Sequence, residues 1–205
     1  MKLHWSPRSP FVRKVMIVLH ELGLVERVAL IRSVVAMHTT NPELMRDNPL
    51  NKLPTLVLDD GTVLFDSPVI CEYLDTLHDG EKLFPSDTGR RFAALRWQAF
   101  GDGLLDLLVL SRNEQNRPPA ARSEPHIVAF ETKVEAALDR LVEEAGALQS
   151  APFGIGHVAV GCALSYLDFR FPARTWRDGR PGLAAWHAEF AARPSVRATE
   201  PRDDD

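Results

Sequence analysis

Cysteine, tyrosine and unbroken apolar runs are all scarce in this chain, and each scarcity removes a class of function. Only two cysteines occur among 205 residues. Cys71 and Cys162 lie far apart in apolar helical patterns, which excludes a disulfide framework and a C-x-x-C redox pair. Buried free thiols are the expectation, and they suit a reducing cytosol. No Cys/His spacing matches a metal site, so no metal is expected. The two tyrosines, Tyr73 and Tyr166, fall within helical patterns well after the first strand. A basic excess is missing too: the net charge of -4 argues against nucleic acid as a partner. Arg90, Arg91 and Arg96 read as a solvated helix face. No stretch approaches a membrane span, and the opening MKLHWSPRSP has no leader-like apolar run. The expected location is cytoplasmic, with no membrane partner.

What the chain does hold is 45% hydrophobic and 25% charged residues, an ordinary globular balance with material for one large or two small domains. Met1–Trp5 reads as a short strand. Ser9-Pro10 forms a cap with proline at the first helical position. Phe11, Val15, Val18, Leu19 and Leu22 then recur at helical spacing until Gly23 stops the helix. Val25–Ile31 reads as a second strand, and a polar stretch follows around one short helix at Glu43–Arg46. Thr55–Leu58 and Thr62–Phe65 form a hairpin around Asp59-Asp60-Gly61. Pro68–Leu77 is a helix capped by Asp66 or Ser67. This α/β order fills residues 1–78. Residues 79–87 read as a linker, and 88–205 as helix only: Thr88–Ser111, Pro125–Ala145, Val158–Phe169 and Gly182–Ala192. The third of these is apolar nearly all round, the mark of a helix inside a domain. The acidic tip Asp203–Asp205 reads as frayed.

The most informative stretch is NKLPTLVLDDGTVLFDS, Asn51 to Ser67. A proline at a strand start cannot donate to the ladder, and only a bond before proline is cheaply cis. Leu53-Pro54 would thus turn the Leu53 backbone outward, toward a peptide-like ligand. Asp66-Ser67 stands at a helix start, where free N–H groups and the dipole favour an anion.

Four segments together, SPRSPFVRKV (Ser6–Val15), NPLNKLPTLVLDDG (Asn48–Gly61), FDSPVICEYLD (Phe65–Asp75) and VGCALSYLDFRFP (Val160–Pro172), make the chain resemble the glutathione S-transferase family over nearly its whole length. It is most similar to bacterial members that begin with an S-P-x-S-P-F-V-R-K stretch. The resemblance implies an α/β thioredoxin-like N-terminal domain that binds glutathione, an all-α C-terminal domain lining the co-substrate pocket, and a homodimer. Carried over by position, Leu53 would pair its backbone with the cysteinyl part of glutathione, with Pro54 in cis. Asp66 and Ser67 would hold the γ-glutamyl end, and Lys52 would lie near the glycyl carboxylate.

Ser9 is the candidate for the chemistry. In the thioredoxin-like register, Ser9-Pro10-Phe11-Val12 takes the place of a C-x-x-C pair without either thiol, so disulfide exchange by the protein is excluded. A hydroxyl at a helix start can donate to the glutathione thiolate, a charge-assisted bond of about 1.5–3 kcal/mol, or roughly one to two pKa units on the thiol. Ser9 would also serve as an N-cap, and Ser6 is the alternative if the loop is differently registered. Arg8 is either a steering charge for an anionic substrate or a surface arginine. His4 reads as structural and His38 as a loop residue within reach of the glycyl end. Phe11, Trp97, Phe100, Asp102 and Arg112 are candidates for the co-substrate pocket, although phenylalanine and tryptophan at helical spacing are core residues more often than ligand contacts, and the Asp102-Gly103 pair could bend the long helix or admit a close neighbour. The chain departs from the family pattern at Gly154-Ile155-Gly156-His157, where a Ser/Thr-x-x-Asp capping box is common. Its loss would cost about 1 kcal/mol. The expected function is transfer of glutathione to small hydrophobic electrophiles. The alternative is a glutathione-binding protein with little transferase activity.

Overall fold

The computed structural model describes residues 1–203. Its first part is built on a four-stranded sheet ordered β2-β1-β3-β4. Strand β1 (Lys2–Trp5) runs parallel to β2 (Ala29–Arg32) and antiparallel to β3 (Thr55–Val57), which pairs antiparallel with β4 (Val63–Leu64). A parallel pair needs a crossover, and helix α1 (Pro10–Glu21) supplies it. Ser9 caps α1 by accepting the Val12 N–H at 3.3 Å. The helix closes at Gly23, whose φ of +64° lets the Leu24 N–H reach back to the Leu19 carbonyl at 2.8 Å. That closure delays the expected second strand. The Leu24 and Val25 carbonyls accept from Arg27 and Val28 in a 3₁₀ turn, and β2 begins only at Ala29.

Helix α2 (Pro42–Asp47) lies in the polar stretch, capped by the Asn41 side chain. Helix α3 (Ser67–Asp75) follows β4. Leu3 and Leu56 from the sheet, Ile17 from α1, and Ile70 and Leu74 from α3 are wholly buried. Each such side chain contributes about 1.5–3 kcal/mol by leaving water.

The remaining elements are helical: α4 (Thr88–Gln115), α5 (Glu124–Ser150), α6 (Ile155–Arg170), α7 (Pro181–Ala192) and α8 (Pro194–Arg197). The sequence pattern ends α4 and α5 too early and starts α6 too late. Helix α6 is the centre of this part, with Val158, Val160, Ala163, Leu164 and Leu167 all at 0% exposure. The glycine that matters for packing is not the expected one. At Gly103 an added Cβ would meet nothing within 4 Å, whereas at Gly101 it would lie 2.5 Å from the Ala159 backbone carbon. Gly101 thus lets α4 lie directly on α6, and α4 continues through Asp102-Gly103 as one helix.

The start of α6 explains its missing cap. A Cβ at Gly154 would sit 2.8 Å from the Leu83 carbonyl oxygen, which accepts the Ile155 N–H at 3.0 Å. No serine or threonine fits there. His157 replaces half of the lost box: its Nδ1 accepts the Gly154 N–H at 3.2 Å, and its Nε2 donates to the Leu148 carbonyl at 2.9 Å. Burial lowers the His157 pKa, which favours the neutral ring this arrangement needs. The same linker is tied to the first part, because the Asp75 carboxylate accepts the Leu83 and Phe84 N–H groups at 2.9 and 3.0 Å.

Candidate functional site

The sheet register collects the candidate residues at one end. His4 stands opposite Thr55, so the chain leaving β1 and the chain arriving at β3 share an edge. Leu64 stands opposite Leu56, which brings the end of β4, and Asp66 after it, to the same place. Ser9, Leu53-Pro54 and Asp66-Ser67 therefore gather there.

Around Leu53, the Leu53–Pro54 peptide is cis, as is Phe65–Asp66. Among the described residues, the Leu53 backbone N–H and C=O make no hydrogen bond. The loop before it is held from inside: the Thr55 hydroxyl and the Asn48 amide both donate to the Lys52 carbonyl. The Lys52 side chain is exposed.

Asp66 begins α3 with its backbone, its carbonyl accepting from Ile70 at 3.0 Å. Its exposed carboxylate makes no cap bond. Ser67 is 1% exposed, and its Oγ accepts from Lys14 Nζ at 3.2 Å. The Ser67 hydroxyl proton and the helix-start N–H groups are left to donate outward.

Lys14 is the residue that sequence reasoning missed. It is wholly buried and pairs with Asp102 of α4 as well as with Ser67, joining the sheet unit to the helical unit. Burial raises the Asp102 pKa against the opposing pull of Lys14. Asp106, one turn further along α4, was missed as well. Burial raises its pKa too, with Lys52 pulling the other way and Asp66 adding to the rise. The Asp66 carboxylate thus acts on both Asp102 and Asp106, and Lys14 opposes it at each. The signals were a lysine inside the apolar run Val12–Leu19, which needs a buried partner, and two aspartates at i,i+4 on one helix face.

Ser9 is half-buried. Its oxygen accepts the Val12 N–H, which leaves its hydroxyl proton to donate, so the capping and donor roles are compatible. Ser6 is 6% exposed, and its Oγ accepts the Arg8 N–H at 3.4 Å. It points into the loop. Burial pushes the Cys71 and Cys162 thiols up to about 12 and about 11, so neither offers a thiolate near neutral pH. His4 is structural, bridging Ser33 and Asp47 at 2.9 and 2.8 Å. His38 is exposed.

Of the expected pocket residues, Phe11 and Phe100 pack half-buried at the margin of the core. Arg112 is half-buried beside Tyr166, whose pKa is raised by burial against the pull of Arg112 and Arg170. Asp102 pairs with Lys14, which also bonds Ser67. Trp97 requires a correction. It is 7% exposed, its Nε1 donates to Glu144 at 2.6 Å, and its ring meets His157 edge-on at 5.9 Å. The indole belongs to the α4–α5–α6 core, because Asp106, nine residues on at about 100° each, occupies the opposite face of α4. Among the described residues no group of three or more His, Cys, Asp or Glu could hold a metal. No helix among them is long and apolar enough to cross a membrane.

A thioredoxin-like sheet unit joined to an all-helical unit is the frame of a glutathione transferase. Residues 8–77 match the model of the glutathione S-transferase N-terminal domain, and residues 117–189 that of the C-terminal domain. The chain belongs to the glutathione S-transferase family. It is 33% identical to the uncharacterized GST-like protein YibF of Escherichia coli K12, over 98% of both chains. A crystal structure of a glutathione transferase family member from Pseudomonas fluorescens Pf-5 with bound glutathione is 44% identical. It superposes with a TM-score of 0.95, covering 98% of this chain and 99% of that one. A second family member structure from the same strain, with bound S-(propanoic acid)-glutathione, is 42% identical with a TM-score of 0.90, over 99% and 100% of the two chains.

Proposed function

We propose that this end of the sheet binds glutathione and that the protein joins it, through its sulfur, to a small hydrophobic electrophile. The observation that carries the reading is the pairing of an unbonded Leu53 backbone with an uncommitted Asp66 carboxylate at one sheet end. Leu53 N–H and C=O would complete a short antiparallel pairing with the cysteinyl residue. Asp66, helped by Asp102 and Asp106, would hold the γ-glutamyl ammonium, while the Ser67 hydroxyl and N–H groups take its carboxylate. Lys52 would face the glycyl carboxylate. The bound glutathione and glutathione conjugate in the Pseudomonas relatives support this assignment.

The thiol then falls near the start of α1. The Ser9 hydroxyl would donate to the sulfur and, with the helix dipole, favour thiolate over thiol. The thiolate attacks the electrophilic carbon, the new S–C bond forms, and the leaving group departs with its electron pair. Phe11 and Phe100 would supply apolar walls, with Arg112 at the outer end. This reading includes a homodimer in the cytoplasm. Phe65, Val69 and Phe92, exposed at 38%, 46% and 66%, give apolar surface for a second copy. The buried free cysteines fit a reducing compartment.

Thermal unfolding tests the binding step. Millimolar glutathione raises the melting temperature of the chain, and Asp66→Ala abolishes the rise. Absence of a shift in the unaltered chain overturns the proposal.

A further inference from the structure

Of the acidic tip expected to fray, Asp203 is held in place. The Arg202 N–H donates to the Pro7 carbonyl at 3.4 Å, in the loop that leads to Ser9. Asp203 then lays its carboxylate on the Arg170 guanidinium with two bonds, Nη1–Oδ2 at 3.0 Å and Nη2–Oδ1 at 2.8 Å. Asp204 and Asp205 lie outside the described residues. Arg8 and Arg112 also act on the Asp203 carboxylate, which the three arginines hold below the usual carboxylate range, Arg170 most strongly.

The host of this carboxylate is more permanent than the guest. The Arg170 side chain is 7% exposed, whereas Asp203 is 64% exposed. The Arg170 guanidinium stacks over the Phe169 ring at 3.8 Å, and its Nε is buried with no partner among the described residues. A buried, oriented arginine fork with an unused donor is a carboxylate receptor. An aspartate so open to solvent is a weak competitor for it, since exposed ion pairs are worth about 0–1 kcal/mol.

Building on the glutathione reading, we propose that Arg170 forms an anion subsite for a carboxylate-bearing co-substrate, and that Asp203 occupies it until the substrate displaces that side chain. The subsite adjoins the Ser9 loop through the Pro7–Arg202 contact. The electrophile would have an apolar body against Phe11 and Phe100 and an anionic end on Arg170.

Calorimetric titration of the full chain separates charge from shape. The probes are a short homologous series of S-(carboxyalkyl)glutathiones, each compared with its matching carboxamide. At the chain length that reaches Arg170, the unaltered chain prefers the carboxylate about tenfold, the scale of one charge-assisted bond. Arg170→Gln removes that preference. Asp203→Asn raises carboxylate affinity severalfold and leaves the carboxamide unaffected. Equal affinities throughout the series, or carboxylate affinity unmoved by Asp203→Asn, overturn the subsite. Failure of glutathione and every conjugate to bind overturns the glutathione reading and the subsite with it.

Discussion

At the scale of single residues, the site is a contest for donors and acceptors. Ser9 caps α1 through an oxygen lone pair and keeps its proton, whereas Ser6 is turned into its own loop. If the Ser9 proton stabilises bound thiolate, Ser9→Ala raises the pKa of the glutathione thiol by about one to two units. Thiolate absorbance against pH in the complex measures this. An unchanged titration moves the role to backbone donors. The cis Leu53–Pro54 bond and the helix start at Asp66-Ser67 were legible because proline and helix-start chemistry are local. Lys14 was not, because its partners Ser67 and Asp102 lie far along the chain. Trp97 misled for the converse reason. Helical spacing gives an aromatic residue a face but does not say what lies opposite, and here it is Glu144 and His157.

At the scale of elements, α4 and α6 set the helical part. Their order was readable from periodicity, but their contact was not, since two glycines two residues apart look alike in sequence. They separate on substitution. Gly103→Ala, facing open space, stabilises the chain by about 0.5–1 kcal/mol through helix propensity alone. Gly101→Ala drives a methyl group into the Ala159 backbone and destabilises by about 1–3 kcal/mol. Urea denaturation of the two variants checks the opposite signs, and a shared sign sinks the packing account. The start of α6 carries the same lesson. A missing Ser-x-x-Asp box reads as a defect until Leu83 and His157 are seen to fill its place.

At the scale of the whole molecule, buried titratable groups set the acid limit. His187 is 3% exposed, and burial lowers its pKa from 6.5 to about 4. Its neutral form is the folded one, so its contribution is complete above pH 6.5 and is lost as pH falls toward about 4. Glu144, held by Arg96 first and by Trp97 and Arg140, is lowered from 4.5 to about 2. Its contribution is present above 4.5 and is lost on further acidification. Asp102, raised by burial, acts in the opposite sense. Melting temperatures should therefore fall from about pH 6.5 downward, and His187→Gln should flatten the upper part of that fall. A profile unchanged by the substitution removes His187 from the account.

The tied linker has a consequence for how a ligand enters. Asp75 holds Leu83 and Phe84 from one side, and the Leu83 carbonyl holds the first turn of α6 from the other. With Lys14 bonded to Ser67 and Asp102 across the same boundary, the two units cannot breathe apart without exposing buried polar groups. Parting the units would break these buried bonds, whereas the exposed Asp203 can leave Arg170 at little cost, so a ligand enters more cheaply by displacing that one carboxylate.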